Sequence, residues 1–220
     1  MQTRRMTDTA LTTPSQPAPP LSAVALVCTL TPSPDASSSQ LLADQLLAEL
    51  ESHGVTTSSV RVVDYDVRPG VLDDMGDGDQ WPELRRRVLD ADILVIATPT
   101  WVGHMSSVAQ RVLERLDNEL SVTDESGRPG LYDRVAVAAI VGNEDGAHQI
   151  TAGLFQALND LGFTIPAQAA TYWNGEAMQA VDYIDLDATP EKVASATKAV
   201  AANAAHLATL LRRHPLPATS

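Results

Sequence analysis

Three unbroken apolar runs constrain the fold of this chain more than any other feature: Ala23-Val24-Ala25-Leu26-Val27-Cys28, Ile93-Leu94-Val95-Ile96-Ala97 and Val135 through Val141. A strand exposed on one face alternates apolar and polar residues, so continuous runs mark central strands covered on both faces. Two further segments read as edge strands. Val60-Arg61-Val62-Val63 carries an internal Arg, and Phe163-Thr164-Ile165-Pro166 contains a Pro that cannot donate to a ladder.

Between the strands the period becomes helical: Leu42, Leu46 and Leu50 before Gly54; Val108, Val112 and Leu116; Ile150, Leu154, Leu158 and Leu161 before Gly162. The glycines read as helix C-caps. A short helix over Trp81 to Asp90 precedes the third strand. A last helix is signalled by Thr189-Pro190, cap then first turn, with Val193, Val200, Leu207 and Leu211 on one face. Five parallel strands alternating with helices, the first, third and fourth internal, predict an α/β doubly wound sheet of order 2-1-3-4-5 with helices on both faces. We place that single domain at residues 21–213, between an N-terminal tail over 1–20 and a C-terminal tail over 214–220.

Aromatics are only 4% of the 220 residues, so Val, Leu, Ile and Ala must build the core. The 15 Lys and Arg against 28 Asp and Glu leave a net charge of −13, which argues against nucleic acid or an anionic membrane as partner. Cys28 is the single cysteine; an intrachain disulfide and a four-thiolate metal site are excluded, and a reducing cytoplasm is expected. The first twenty residues lack the apolar stretch of a secretory signal and read as disordered.

Ligands on such sheets bind beyond the carboxyl ends of the strands at the switch point, which directs attention to three loops. The first, Thr29 to Ser39, puts the hydroxyls of Thr29, Thr31, Ser37, Ser38 and Ser39 ahead of a helix N-terminus, where a phosphate would sit well. Serines there also serve simply as helix caps, and this loop alone does not separate the two readings. The second, Pro99, Thr100, Trp101, Val102 and Gly103, offers a flat surface for a heteroaromatic ring, with Ser106 as cap of the next helix and His104 as a solvated side chain. The third is Gly142, Asn143, Glu144, Asp145 and Gly146, a polar turn whose glycines permit close backbone approach and whose Asn offers donor and acceptor. No Gly-rich dinucleotide fingerprint and no triphosphate loop is present. The acidic stretch Asp73 to Asp79 lacks the Glu that an EF-hand loop needs at its twelfth position, so it reads as a solvated loop and no metal site is expected.

Four weak motifs in register make a resemblance specific. Thr31 to Ser39, Met75 to Pro82, Thr98 to Gly103 and Gly142 to Gly146 resemble, in order, segments of the flavodoxin-like NADPH-dependent FMN reductase family. The resemblance implies FMN as cofactor, its phosphate in the Ser37–Ser39 loop, its ring against Pro99 to Gly103 and its pyrimidine side near Gly142 to Gly146. It also implies NADPH or NADH as electron donor, a quinone, free flavin or similar small molecule as acceptor, and a homo-oligomer, to which Trp101, Tyr172 and Trp173 would contribute. It places the Asp73–Asp79 stretch near the cofactor rim or a subunit contact. One departure stands out: better-known members open the first loop with Gly-Ser-x-Arg, whereas this chain has Thr29-Leu30-Thr31-Pro32.

The competing reading is a flavodoxin-type single-electron carrier. Such carriers bracket the flavin with aromatics from both the third-strand and fourth-strand loops, and the fourth-strand loop here has none, which favours an enzyme with one open flavin face. A phosphorylated receiver domain of the same sheet order is disfavoured, because strand one ends in Cys28-Thr29-Leu30 rather than in an acidic pocket.

Overall fold

The structure, a computed structural model, describes residues 19–176 and 181–218; residues 1–18 of the expected N-terminal tail and the last two of the C-terminal one lie outside the described residues. Strand β1 (Ser22–Val27) is followed by α1 (Ser38–Ser52), β2 (Thr56–Arg61), α2 (Trp81–Asp90), β3 (Ile93–Trp101), β4 (His104–Met105) and α3 (Ser107–Leu116). Then come β5 (Val135–Gly142), α4 (Ala147–Asp160), β6 (Ala170–Asn174) and α5 (Glu191–Arg213). The five parallel strands run in the order β2-β1-β3-β5-β6, the expected doubly wound arrangement.

The unbroken apolar runs are explained by where their alternate side chains go. Ala23, Ala25 and Val27 of β1 pack with Leu42, Leu46 and Leu50 of α1 and Val200, Ala204 and Leu211 of α5. Val24, Leu26 and Cys28 pack on the other side with Leu84 of α2, Val112 and Leu116 of α3 and Leu154 of α4. Both faces of the sheet are dry, so neither register of alternation can be polar.

Three boundaries differ from the sequence reading. The fifth parallel strand is Ala170–Asn174 and not Phe163–Pro166, which makes only an isolated bridge from Thr164 to Val135. Pro166 lacks an N–H to extend that pairing, and the chain turns at Gln168, which has a positive φ of 52°, before the aromatic-rich segment pairs with β5. The second strand begins earlier, at Thr56, and Val62–Asp64 is a 3₁₀ turn; an edge strand with mostly exposed Thr and Ser gives no apolar signal to read. Thr189 does not cap α5. Pro190 occupies the cap position, and the Thr189 hydroxyl instead accepts from Gln45 Nε2 at 2.9 Å.

The acidic loop is less solvated than its composition implies. The side chains of Asp79 and Arg115 are both fully buried and paired at 2.7 Å. The Asp79 carboxyl also accepts from the N–H groups of Arg68, Met75 and Trp81. Burial alone would raise its pKa, but the Arg115 guanidinium and these backbone donors outweigh that and hold it well below the usual carboxylate range. The loop is thereby tied to α3.

Candidate functional site

The carboxyl ends of β1, β3, β5 and β6 converge on one cleft of about 240 Å³. This is below the 300–1,000 Å³ of pockets that engulf a small-molecule ligand.

Of the fifteen residues expected at the site, Thr29, Thr31, Ser37, Ser38, Ser39, Pro99, Thr100, Trp101, Gly142 and Asn143 line this cleft. Val102, Gly103, Glu144, Asp145 and Gly146 do not; they build the turns around it. None of Asp73 to Asp79, expected near the cofactor rim or a subunit contact, lines the cleft.

At the β1 end, Ser37 is the N-cap of α1, and its Oγ accepts from the Gln40 N–H at 3.4 Å. The N–H of Thr31 donates to Thr29 Oγ1 at 3.2 Å. The four consecutive N–H groups of Ala36, Ser37, Ser38 and Ser39 have no acceptor among the described residues. A run of such donors at the start of a 15-residue helix combines aligned N–H groups with the positive end of the dipole, chemistry that favours an anion. Ser37 thus caps, as one of the two readings of the serines expects, and the amides beside it have no acceptor among the described residues.

At the β3 end the chain folds back in a tight hairpin, Trp101 pairing with His104 and Thr100 with Met105. The two central residues, Val102 and Gly103, have φ of 52° and 74°. A two-residue turn of this hand needs positive φ at both positions, and a β-branched residue there is strained. The Val102 N–H is held by Glu144 Oε1 at 2.7 Å, so this carboxylate braces the hairpin. Trp101 remains 53% exposed at the mouth of the cleft. Ser106 acts as a cap, accepting from the Ala109 N–H, and its hydroxyl donates to the Cys28 carbonyl at 2.6 Å.

The glycines of the β5 loop are required by the protein itself. A Cβ on Gly142 would lie 2.6 Å from Thr100 Cβ, and one on Gly146 would lie 2.7 Å from Thr100 Cγ2. Thr100, whose buried hydroxyl has no hydrogen-bond partner among the described residues, is therefore wedged between β3 and this loop. Asp145 accepts from the Gly146 N–H at 2.7 Å, and Asn143 Nδ2 donates to Asp182 Oδ1 at 3.3 Å.

Sequence reasoning missed one wall of the cleft. Trp173 lines it from β6, with its ring centroid 5.5 Å from that of Tyr183. The segment Asp182-Tyr183-Ile184 closes over α1, the Ile184 N–H donating to Ser38 Oγ at 3.2 Å and the Tyr183 hydroxyl to Gln45 Oε1 at 2.6 Å. Placing the fifth strand correctly would have put Trp173 at a strand carboxyl end. No sequence motif announces Asp182 to Ile184. Strand alternation sends Tyr172 to the opposite face, where its hydroxyl meets His148 Nε2 at 3.0 Å.

No Lys, Arg or His lines the cleft among the described residues, and Asp182 is its one carboxylate. Cys28 lies beneath it, wholly buried, and burial pushes its thiol pKa up, so it is no thiolate nucleophile at neutral pH.

Sheet order and a cleft at the switch point together define a doubly wound α/β protein whose cleft lies where such folds take their ligands. Residues 23–178 match the NADPH-dependent FMN reductase family, and the chain belongs to that family of FMN-dependent oxidoreductases. It is 34% identical over 205 residues to the 8-demethyl-8-aminoriboflavin-5'-phosphate synthase of Streptomyces davaonensis, covering 89% of this chain and 80% of that one. The crystal structure of RosB with bound 8-demethyl-8-formylriboflavin-5'-phosphate superposes with a TM-score of 0.81 at 34% identity, over 89% of this chain and 82% of RosB. A flavodoxin from the domain Archaea, 9% identical over 86% of this chain and 99% of its own, has a TM-score of 0.56, a likeness of fold alone. The divalent metal cation transporter MntH of Mycobacterium bovis is 40% identical over 169 residues, 75% of this chain but only 25% of the transporter. The chain thus spans about a quarter of that relative's length. No helix among the described residues is long and apolar enough to cross a membrane.

Proposed function

We propose that the chain holds FMN in this cleft and passes electrons from NADPH or NADH through it to a small acceptor such as a quinone or a free flavin. The observation that carries this reading is the run of acceptor-free N–H groups from Ala36 to Ser39, opening onto the same cleft as Trp101. The donor set fits a phosphate: hydroxyls, amides and a helix dipole, with no carboxylate among the residues of the β1 loop that line the cleft. Ser37 to Ser39 would hold the phosphate, while Pro99 to Trp101 and Gly142 and Asn143 would border the ring. FMN supplies the electron-transfer chemistry when bound, and the protein's task is to bind it, orient it and control access. The relative that binds a riboflavin-5'-phosphate derivative supports the assignment of the ligand.

A second reading has a specific observation in its favour. The Streptomyces davaonensis relative is a synthase of a modified riboflavin phosphate, so here too riboflavin phosphate would be substrate rather than resident cofactor. One experiment separates the two. The FMN-loaded protein is mixed anaerobically with NADPH or NADH, then with a quinone, and the flavin is recovered for mass analysis. Rapid bleaching of the flavin band, its return with quinone and an unchanged flavin mass are expected. A changed flavin mass would favour the synthase reading, and slow bleaching by both nicotinamides would favour an electron carrier.

A further inference from the structure

The β1 loop owes its shape to residues outside the cleft. Arg61, the last residue of β2, sends Nη1 to three carbonyls of that loop: Thr31 at 3.4 Å, Pro32 at 3.1 Å and Asp35 at 2.6 Å. Its Nε donates to Gln40 Oε1 at 3.1 Å, in the first turn of α1. From the same wall Asp64 Oδ1 accepts from the Ser33 N–H at 2.8 Å. None of these contacts faces the cleft, which neither Arg61 nor Asp64 lines.

Their effect on the cleft follows from the planarity of the peptide unit, in which C=O and N–H point in opposite directions across a trans bond. With the Asp35 carbonyl turned toward Arg61, the Ala36 N–H of the same peptide is turned away from it, and Ala36 lines the cleft. The Gln40 contact fixes the first turn of α1, which carries the Ser38 and Ser39 N–H groups, relative to the same guanidinium. We propose that Arg61 and Asp64 are positioning residues for the cofactor phosphate, which hold the β1 loop from behind so that its N–H groups from Ala36 to Ser39 converge on one anion. This rests on the FMN reading above. A planar guanidinium suits the role because Nη1 reaches the loop carbonyls while Nε, fixed in the same plane, reaches Gln40 in α1, a rigid pairing of two donors that a lysine ammonium cannot match.

The test compares FMN with riboflavin, which lacks only the phosphate, by fluorescence titration of the full-length, flavin-free chain. Arg61→Met should weaken FMN about tenfold, equivalent to about 1.4 kcal/mol, while leaving riboflavin affinity unchanged. Arg61→Lys restores the charge without the fork and should stay near Arg61→Met. Asp64→Ala, at an exposed residue, should shift the same ratio in the same direction, and it decides the matter if Arg61→Met does not fold. An unchanged FMN-to-riboflavin ratio, an equal loss for both ligands or full rescue by Arg61→Lys would overturn the proposal while leaving the FMN reading standing. Failure of the unsubstituted chain to prefer FMN would overturn both.

Discussion

Replacing Asp79 by Asn tests whether the acidic loop is a structural anchor. Asp79 Oδ2 accepts from Arg115 Nη2 at 2.7 Å and from the Met75 N–H at 2.9 Å, and Oδ1 from the Trp81 and Arg68 N–H groups at 3.2 and 3.3 Å. An Asn keeps one oxygen for one pair of donors, and its NH₂ then meets the other pair donor to donor. Arg115 meanwhile keeps bonds to the Arg68 and Leu72 carbonyls but loses its counter-charge while fully buried. Breaking one side of a buried ion pair costs about 3–5 kcal/mol, a large part of the 5–15 kcal/mol that typically holds a domain together. Urea unfolding at pH 7 should show a loss of that size. The pH dependence carries its own sign. Asp79 has a depressed folded-state pKa, so its contribution is fully present above the unfolded value of about 3.9 and is lost as pH falls through the folded value. The gap between wild type and Asp79→Asn should therefore be constant from about pH 7 to 5 and narrow below about pH 4. A loss under about 1 kcal/mol at pH 7, or a gap unchanged down to acid unfolding, would refute the anchor.

Ser37→Ala combined with Ser39→Ala should weaken FMN binding about tenfold or more, taking about 1.5 kcal/mol for each lost hydrogen bond to a charged group; unchanged affinity in a fluorescence titration would show that the serines only cap. Ser106→Ala removes a cap and the bond to the Cys28 carbonyl, and should cost about 1–2 kcal/mol of stability with FMN affinity unaltered. Light scattering should find a homo-oligomer at micromolar concentration, and a monomer throughout that range would remove the subunit interface from the picture.

What was legible in the sequence follows the strength of each physical signal. Both-face burial leaves unbroken apolar runs, so β1, β3 and β5 could be read, and with them the switch point and three loops of the cleft. Edge strands bury little and leave little trace: Thr56 to Ser59 of β2 show no apolar pattern, and the fifth strand reads as Phe163–Pro166 where the structure has Ala170–Asn174. That displacement hides Trp173 as a wall of the cleft. The glycines at 142 and 146 read as positions of close backbone approach, and a Cβ on either would meet Thr100, a constraint of packing that is not legible in the sequence. Glu144 looked like a site residue by position, but its partner is the Val102 N–H, an outcome of hairpin geometry that no spacing along the chain encodes. Asp79 was read with its exposed neighbours as one acidic stretch, because composition cannot say which of several aspartates faces a buried arginine.

The charge pattern decides how this cleft must treat a phosphate. The molecule carries −13 overall, the residues lining the cleft include no cation among those described, and Asp182 adds a carboxylate at its edge. Long-range steering therefore works against an anionic ligand, and attraction has to come from oriented dipoles that act over a few ångströms. Dipoles of this kind are useful only when aimed, since an N–H turned aside contributes nothing and exposes a carbonyl instead. A site built around a lysine ammonium tolerates small shifts of its loop because a point charge has no direction; a phosphate site built from the amides of Ala36 to Ser39, as proposed above, would not. Among the described residues Arg61 is the one arginine hydrogen-bonded to the loop; it lies behind it with its charge directed at carbonyls, and on the proposal above the opposite faces of those peptides would serve the anion. On the proposal above, the edge strand β2, which buries only Val60, would fix the geometry on which recognition of the phosphate depends.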